Sequence, residues 1–144
     1  MIRVERVNDE AALKEVFKIR QTVFVEEQEV DAAEEYDEFE DSSNHYLAFF
    51  NGIPAGTARW RPKGEKIKLE RFAVVKEFRN KGVASAIMEN ILKDVPADKT
   101  LLLHAQIAAM PLYEKFDFKA FGPEFNEAGI RHFAMSLSTS TQTE

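Results

Sequence analysis

Residues 69–92 read LERFAVVKEFRNKGVASAIMENIL. The opening of this stretch belongs to a long strand, Ile67 to Val75, whose ERFAVV portion is too apolar for an exposed edge. After FRNKG, residues Val83, Ala84, Ile87, Met88, Ile91, Leu92 and Val95 recur at helical spacing, and Pro96 closes the run. A strand therefore delivers the chain to a helix N-terminus through a turn that holds Gly82 and the small Ala84. First-turn amides of a helix have no intrahelical acceptor, and the helix dipole adds roughly half a positive charge there. Gly82 and Ala84 let a ligand approach the backbone, while Arg79 and Lys81 add formal charge. This pattern predicts an anion site, most naturally for a phosphate or pyrophosphate. The competing reading is a glycine that merely starts a helix beside solvated bases. Neither GxxxxGK(S/T) nor a GxGxxG after the first strand occurs, so this is neither a nucleoside-triphosphate loop nor a dinucleotide fold.

On the N-terminal side, Ile2 to Val7 alternates as a first strand, and Asn8 or Asp9 can cap the helix that follows. Leu13, Val16, Phe17, Arg20, Val23 and Phe24 form one stripe of that helix, which ends near Gln28. The helix runs into the acidic stretch, residues 26–41, which contains Tyr36 and Phe39 and forms a short second helix or a loop. Tyr46 to Phe50 reads as a buried strand before Asn51-Gly52, a strong hairpin signal. Ala55 to Arg61 returns, and Lys63-Gly64-Glu65 makes the next turn. On the C-terminal side, Thr100 to Gln106 is a buried strand. Ala109 to Phe116 is a short helix with Pro111 in its first turn. Phe118 to Phe121 and Ile130 to Leu137 are last strands on either side of a GPEFNEAG loop. The order is strand, helix, an optional helix, three strands, helix, strand, helix and two strands. That is one α/β domain around a mixed sheet, spanning 1–138, with a frayed polar tail at 139–144.

The chain has 144 residues, 44% hydrophobic and 31% charged, enough to bury ~70% of its unfolded surface. No apolar run approaches the ~20 residues needed to span a bilayer, and the first residues lack the apolar core of a secretory signal. With no cysteine, a thiol nucleophile, a disulfide framework and a thiolate metal site are excluded. A cytoplasmic, non-membrane protein is expected. The net charge of −6 disfavours a general nucleic-acid binder. Charge is also segregated. Residues 26–41 hold ten acids and no base, whereas residues 59–81 hold nine bases and three acids. One segment can attract a cation and the other can hold an anion, unless both are simply solvated faces.

RNKGVA, residues 79–84, fits the (Q/R)xxGx(G/A) signature of the GNAT superfamily, the N-acetyltransferases that use acetyl-CoA. ERFAVV resembles the family's central strand, and QIAAMPLYEKFDF resembles its later Asn…Leu-Tyr-Glu-Lys-x-Gly-Phe run. RQTVFVEEQ in the first helix looks like a small bacterial branch of predicted acyltransferases. The resemblance covers roughly Arg3 to Leu137. This chain departs from the pattern at Lys76 for Pro, Ala84 for Gly, Gln106 for Asn and Asp117 for Gly. The resemblance implies a central mixed, mostly antiparallel sheet of six or seven strands flanked by about four helices.

It also implies roles. Arg79, Asn80, Lys81, Gly82, Val83 and Ala84 would bind the CoA pyrophosphate. Phe72, Ala73 and Val74 would pair their backbone with the pantetheine arm, and Gln106 would contact the cofactor through its amide. Tyr113 would sit near the CoA sulfur as a hydrogen-bond donor to the departing thiolate, or else is a core aromatic. A free alkyl amine near pKa ~10.4 loses its proton at neutral pH at a cost of about 4–5 kcal/mol, so a base is useful. Glu70 is the candidate, placed by two-residue alternation on the side of Phe72 and Val74. Its alternative is an ion pair with Arg59, Arg61 or Lys68. Glu26, Glu27 or another acid of the acidic stretch could serve instead. That stretch is expected to overhang the acceptor entrance and to favour a cationic acceptor: a polyamine, an amino sugar, an aminoglycoside or a lysine side chain. Glu27 and His132 are candidate acceptor contacts. Arg20, Arg59, Arg61 or Arg131 would hold a sugar phosphate. His104 reads as a satisfied core residue, and His45 has no nameable partner. No metal is expected. A homodimer is one arrangement the family allows. The alternatives to an enzyme are a non-catalytic acyl-CoA-binding regulatory module and a plain protein-interaction domain.

Overall fold

Asp9 caps the first helix as its carboxylate accepts from the Ala12 amide at 2.8 Å. In a computed structural model of the chain, which describes residues 1–37 and 39–138, strand β1 (Ile2–Arg6) precedes helix α1 (Glu10–Arg20). The helix continues as a π-helical segment, Gln21–Glu27, and ends at Gln28 as its spacing predicts. The buried stripe Val16, Ile19, Val23 and Phe24 includes one charged member, Arg20. The acidic stretch contains a one-turn helix, α2 (Ala32–Glu35). Strands β2 (Asn44–Phe50) and β3 (Ile53–Lys63) form the expected hairpin. Asn51 and Gly52 both take positive φ, 50° and 84°, the backbone that tight hairpins require. Strand β4 (Lys66–Val74), helix α3 (Val83–Asp94), strand β5 (Thr100–Gln106), helix α4 (Met110–Lys115) and strands β6 (Lys119–Glu127) and β7 (Ile130–Ser138) follow.

The seven strands are ordered β1-β2-β3-β4-β5-β7-β6. The pairs β1–β2, β2–β3, β5–β7 and β6–β7 are antiparallel, and β4 and β5 are parallel over Ile67–Leu69 and Leu101–Leu103. This is the α/β fold with a mixed seven-stranded sheet that the sequence predicts. One expectation fails. GPEFNEAG is not a loop, because β6 runs through it to Glu127 and only Ala128-Gly129 turn, with φ of 54° and 78°. Pro123 lies on this edge strand between Phe121 and Phe125, where the pairing with β7 shifts, a place that tolerates a residue without an N–H. The insertion is absorbed by a register shift between Phe121 and Phe125. The predicted tail, 139–144, lies outside the described residues.

The chain divides into two compact units. The first holds Met1–Trp60 and Arg71–Asp94. Its strands bury both faces: on β2, His45 turns its ring to Phe17 of α1, while Tyr46 turns its hydroxyl to Asp94 of α3, the helix that buries Val83, Ile87, Met88 and Ile91. Gly56 is what lets α3 lie so close to the sheet. A Cβ there would stand 2.9 Å from Val83 Cγ1 and 3.1 Å from the Ala73 carbonyl oxygen. The second unit holds Arg61–Glu70 and the chain from Val95 onward. Along β5, Leu101, Leu103 and Ala105 are buried while Leu102, His104 and Gln106 are only half-buried. Two-residue alternation thus sends the last three to the opposite face.

Candidate functional site

In the first unit, the segment between β4 and α3 makes a short 3-10 turn, Lys76–Phe78, and then enters α3 through Asn80 and Gly82. Both take positive φ, 62° and 88°. At Gly82 the constraint is the backbone, since an added Cβ would meet nothing nearer than Ile2 Cδ1 at 3.7 Å. The turn ends on the first amides of a twelve-residue helix, where anions are favoured. Arg79 is already engaged. Its Nε donates to the Val74 carbonyl at 2.8 Å, and its two terminal nitrogens donate to Glu27 at 2.7 and 2.6 Å. The Arg79 hydrogen bond holds the Glu27 carboxyl below its usual range. A predicted cofactor contact and a predicted acceptor contact are therefore partners of each other.

The acidic stretch is also partly spoken for. Arg20 donates to both Glu40 oxygens at 2.8 Å. Arg59 donates to Asp37 at 3.1 and 2.8 Å and to Glu40 at 2.9 Å. Arg71 reaches Asp37 at 3.2 Å. Arg20 and Arg59 are 1% and 0% exposed, so burial obliges them to find carboxylates. Burial pushes the Asp37 carboxyl up, but the Arg59 hydrogen bond, the Phe39 amide and the Arg59 and Arg71 charges outweigh it and bring it to about 2. His45 donates from Nε2 to the Glu40 carbonyl at 2.8 Å, and burial lowers its pKa, keeping it neutral. All four arginines offered for a sugar phosphate carry carboxylate partners, since Arg61 binds Glu70 and Arg131 binds Glu124.

In the second unit, Glu70 is paired as its alternative reading proposed. Arg61 donates to it at 2.9 and 3.3 Å, and Lys68 lies 3.2 Å away. Arg71 takes a φ of 60° in mid-strand, which interrupts the alternation used to align Glu70 with Phe72 and Val74. Tyr113 is 6% exposed, with its ring edge-on to Phe118 at 6.2 Å. Burial raises its phenol pKa well above the ordinary value. Gln106 and His132 stand opposite each other in the β5–β7 register.

Sequence reasoning missed the neighbour of that pair. His104 is not core. Its Nδ1 meets Glu127 Oε1 at 2.8 Å, and its ring is edge-on to Phe125 at 4.9 Å. Phe125 in turn stacks on His132 at 5.7 Å. The available signal was the alternation of TLLLHAQ, which separates His104 from the buried leucines. Glu127 and Phe125 were hidden in the supposed loop. Among the described residues no group of three His, Asp or Glu could hold a metal ion, and no helix is long and apolar enough to cross a membrane.

Comparison with known proteins agrees with this architecture. The Acetyltransferase (GNAT) domain profile matches residues 5–139. The uncharacterised N-acetyltransferase YjcF of Bacillus subtilis is 40% identical over 131 residues, 88% of this chain and 93% of YjcF. Escherichia coli ElaA superposes with a TM-score of 0.79 at 23% identity, over 94% of this chain and 99% of ElaA. A GNAT family acetyltransferase from Elizabethkingia anophelis, solved with acetyl-CoA bound, superposes with a TM-score of 0.70 at 14% identity, over 95% of this chain and 97% of that one.

Proposed function

The chain belongs to the GNAT family of acetyltransferases and is an acyltransferase, and from that premise we propose that it transfers an acetyl group from acetyl-CoA directly to a primary amine. The observation that carries this reading is the left-handed pair Asn80 and Gly82, which turns the chain onto the open amides at the start of α3. Residues Arg79 to Ala84 would hold the pyrophosphate, chiefly through backbone N–H groups. Phe72, Ala73 and Val74, beyond the last β5-registered residue of β4, would pair with the amides of the pantetheine arm. The acetyl-CoA found on the Elizabethkingia relative supports the same cosubstrate here.

Transfer needs a neutral amine, a polarised thioester and a donor for the departing thiolate. Tyr113 fits the third task. Its raised pKa keeps the phenol protonated, so it acts as a hydrogen-bond donor whose proton moves only as charge develops on sulfur. With no cysteine in the chain, no acetyl-thiol enzyme intermediate forms and the amine attacks the thioester itself. The acceptor is proposed to be a polyamine, an amino sugar or a lysine side chain.

Thermal unfolding with and without acetyl-CoA tests this. Ligand at 100 times its Kd should add about 2.7 kcal/mol of stability. Gly82→Glu should abolish the shift, because the new side chain strains the left-handed turn and puts a carboxylate where the phosphates bind. Absence of a shift in the unaltered protein would overturn the reading. An undiminished shift in Gly82→Glu would remove the loop assignment alone.

A further inference from the structure

The second unit holds a polar cluster whose chemistry the acetyl-transfer reading leaves unassigned. His104 and Gln106 share one face of β5, and Gln106 stands opposite His132 on β7. His132 stands opposite Phe125 on β6, and Glu127 lies two residues further along that strand. A carboxylate can only accept, and Glu127 is held below its usual pKa first by its hydrogen bond to His104. The Nδ1–H therefore donates to Glu127, which makes Nε2 the outward end of the ring. Nε2 has no hydrogen-bond partner among the described residues, and the side chain is 26% exposed. His132 is a different case. Its Nδ1 donates to the Ile130 carbonyl at 2.7 Å and it is 6% exposed, so its ring is fixed and covered.

We propose that His104 Nε2 takes the proton from the acceptor amine, with Glu127 fixing the tautomer and orientation of the ring. The proposal rests on the acetyl-transfer reading and supplies its missing base. Glu70 is a poor candidate by comparison, because Arg61 and Lys68 already occupy its oxygens. Phe125, edge-on to His104 and stacked on His132, restricts the ring to one orientation. The step balances as follows. The ammonium gives one proton to Nε2 and becomes the neutral amine. Its nitrogen attacks the thioester carbonyl carbon, the C–N bond forms and the C–S bond breaks. The departing thiolate takes the Tyr113 proton, the second N–H proton passes back to the Tyr113 oxygen, and His104 later returns the first to solvent. The charged and titratable groups around the pair are His132 on β7 and Lys68 on β4, with Glu70 beside Lys68 and Arg61 on Glu70.

Thiol release from acetyl-CoA, measured against pH with spermidine, glucosamine and a lysine peptide, tests the assignment. His104→Gln should lower kcat at pH 7 by at least about 100-fold while acetyl-CoA still raises the melting temperature. Its remaining rate should climb with pH as the amine loses its proton unaided. Glu127→Gln keeps the hydrogen-bonding shape without the charge, and should lower kcat about tenfold and displace the acid-side fall in rate. A His104→Gln enzyme within threefold of the unaltered protein, with the same pH profile, overturns the assignment and leaves acetyl transfer standing. If His104→Gln fails to fold, an unchanged profile in Glu127→Gln overturns it equally. No thiol release with any of the three amines overturns the amine reading and this assignment together.

Discussion

Each compact unit contains a cluster of charged and hydrogen-bonding side chains, and the two clusters differ in what they leave open. In the first, Arg20 and Arg59 are fully buried and bind Asp37 and Glu40, with Arg71 adding a third cation. Each carboxylate there has an arginine, and Asp37 and Glu40 also accept from backbone amides of their own turn. In the second, His104 is held at one nitrogen by Glu127 and has no hydrogen-bond partner at the other among the described residues. Sequence alone ranks these clusters the other way round, because residues 26–41 carry the larger charge. Capacity left unsatisfied marks a place for chemistry, whereas charge that is already paired marks a joint. The acidic stretch is in that sense partly a structural element, pinned to α1 and β3 by two buried guanidinium groups.

The largest effect expected from this contrast is on stability. Arg59→Met removes one partner of a buried network and leaves Asp37 and Glu40 short of their cation. Such deletions cost about 3–5 kcal/mol, so chemical denaturation should show a loss of that order. His104→Gln, at a partly exposed ring, should change stability by less than about 1 kcal/mol. If the two substitutions destabilise alike, the distinction between joint and reactive site fails.

The legible parts of the molecule were those whose signal is local. The Asn51-Gly52 hairpin, the Asp9 cap and the α3 stripe each follow from a few adjacent residues and a periodicity. The strand–loop–helix around Gly82 was legible for the same reason, since a glycine before a helical run fixes both the turn and its open amides. Three features were not local. Arg20 lies in an apolar stripe, and only the fold reveals that Glu40, twenty residues on, neutralises it. The strand character of GPEFNEAG depends on β6 being an edge strand, which no window of sequence reveals. The His104–Glu127 pair joins residues 23 apart across β5 and β6. Even alternation, a dependable guide along β5, is interrupted on β4 by the positive φ of Arg71.

Acid should separate the two clusters by a smaller margin. Asp37 titrates at about 2 against an ordinary 3.8, and Glu40 is also lowered. A carboxyl whose folded pKa is depressed contributes stability above its unfolded value and loses it as pH falls through the folded one. Stability from the first cluster should therefore be intact above about pH 4 and decline toward pH 2. The effect is smaller than that of Arg59→Met, because the packing of the arginines is untouched. Arg59→Met should flatten this decline, and a decline of the same steepness in that variant would place its origin elsewhere.

The smallest effect concerns a pair that belongs to neither extreme. Arg79 and Glu27 bind each other through two short hydrogen bonds, yet their side chains are 34% and 40% exposed. An exposed pair contributes up to about 1 kcal/mol and weakens with salt, so Glu27→Gln should barely alter the melting temperature. Its consequence should appear in ligand binding. At neutral pH the Glu27 carboxylate competes with any phosphate for the terminal nitrogens of Arg79, while the Arg79 Nε bond to the Val74 carbonyl keeps the guanidinium in place. Removing that negative charge leaves a positioned cation beside the first amides of α3, and acetyl-CoA should bind severalfold more tightly at low ionic strength. The gain should shrink as salt is added, because it comes from exposed charge. Unchanged affinity in an isothermal titration would mean that Arg79 works only as a tie between the end of the first helix and the loop, with the backbone amides alone meeting the pyrophosphate.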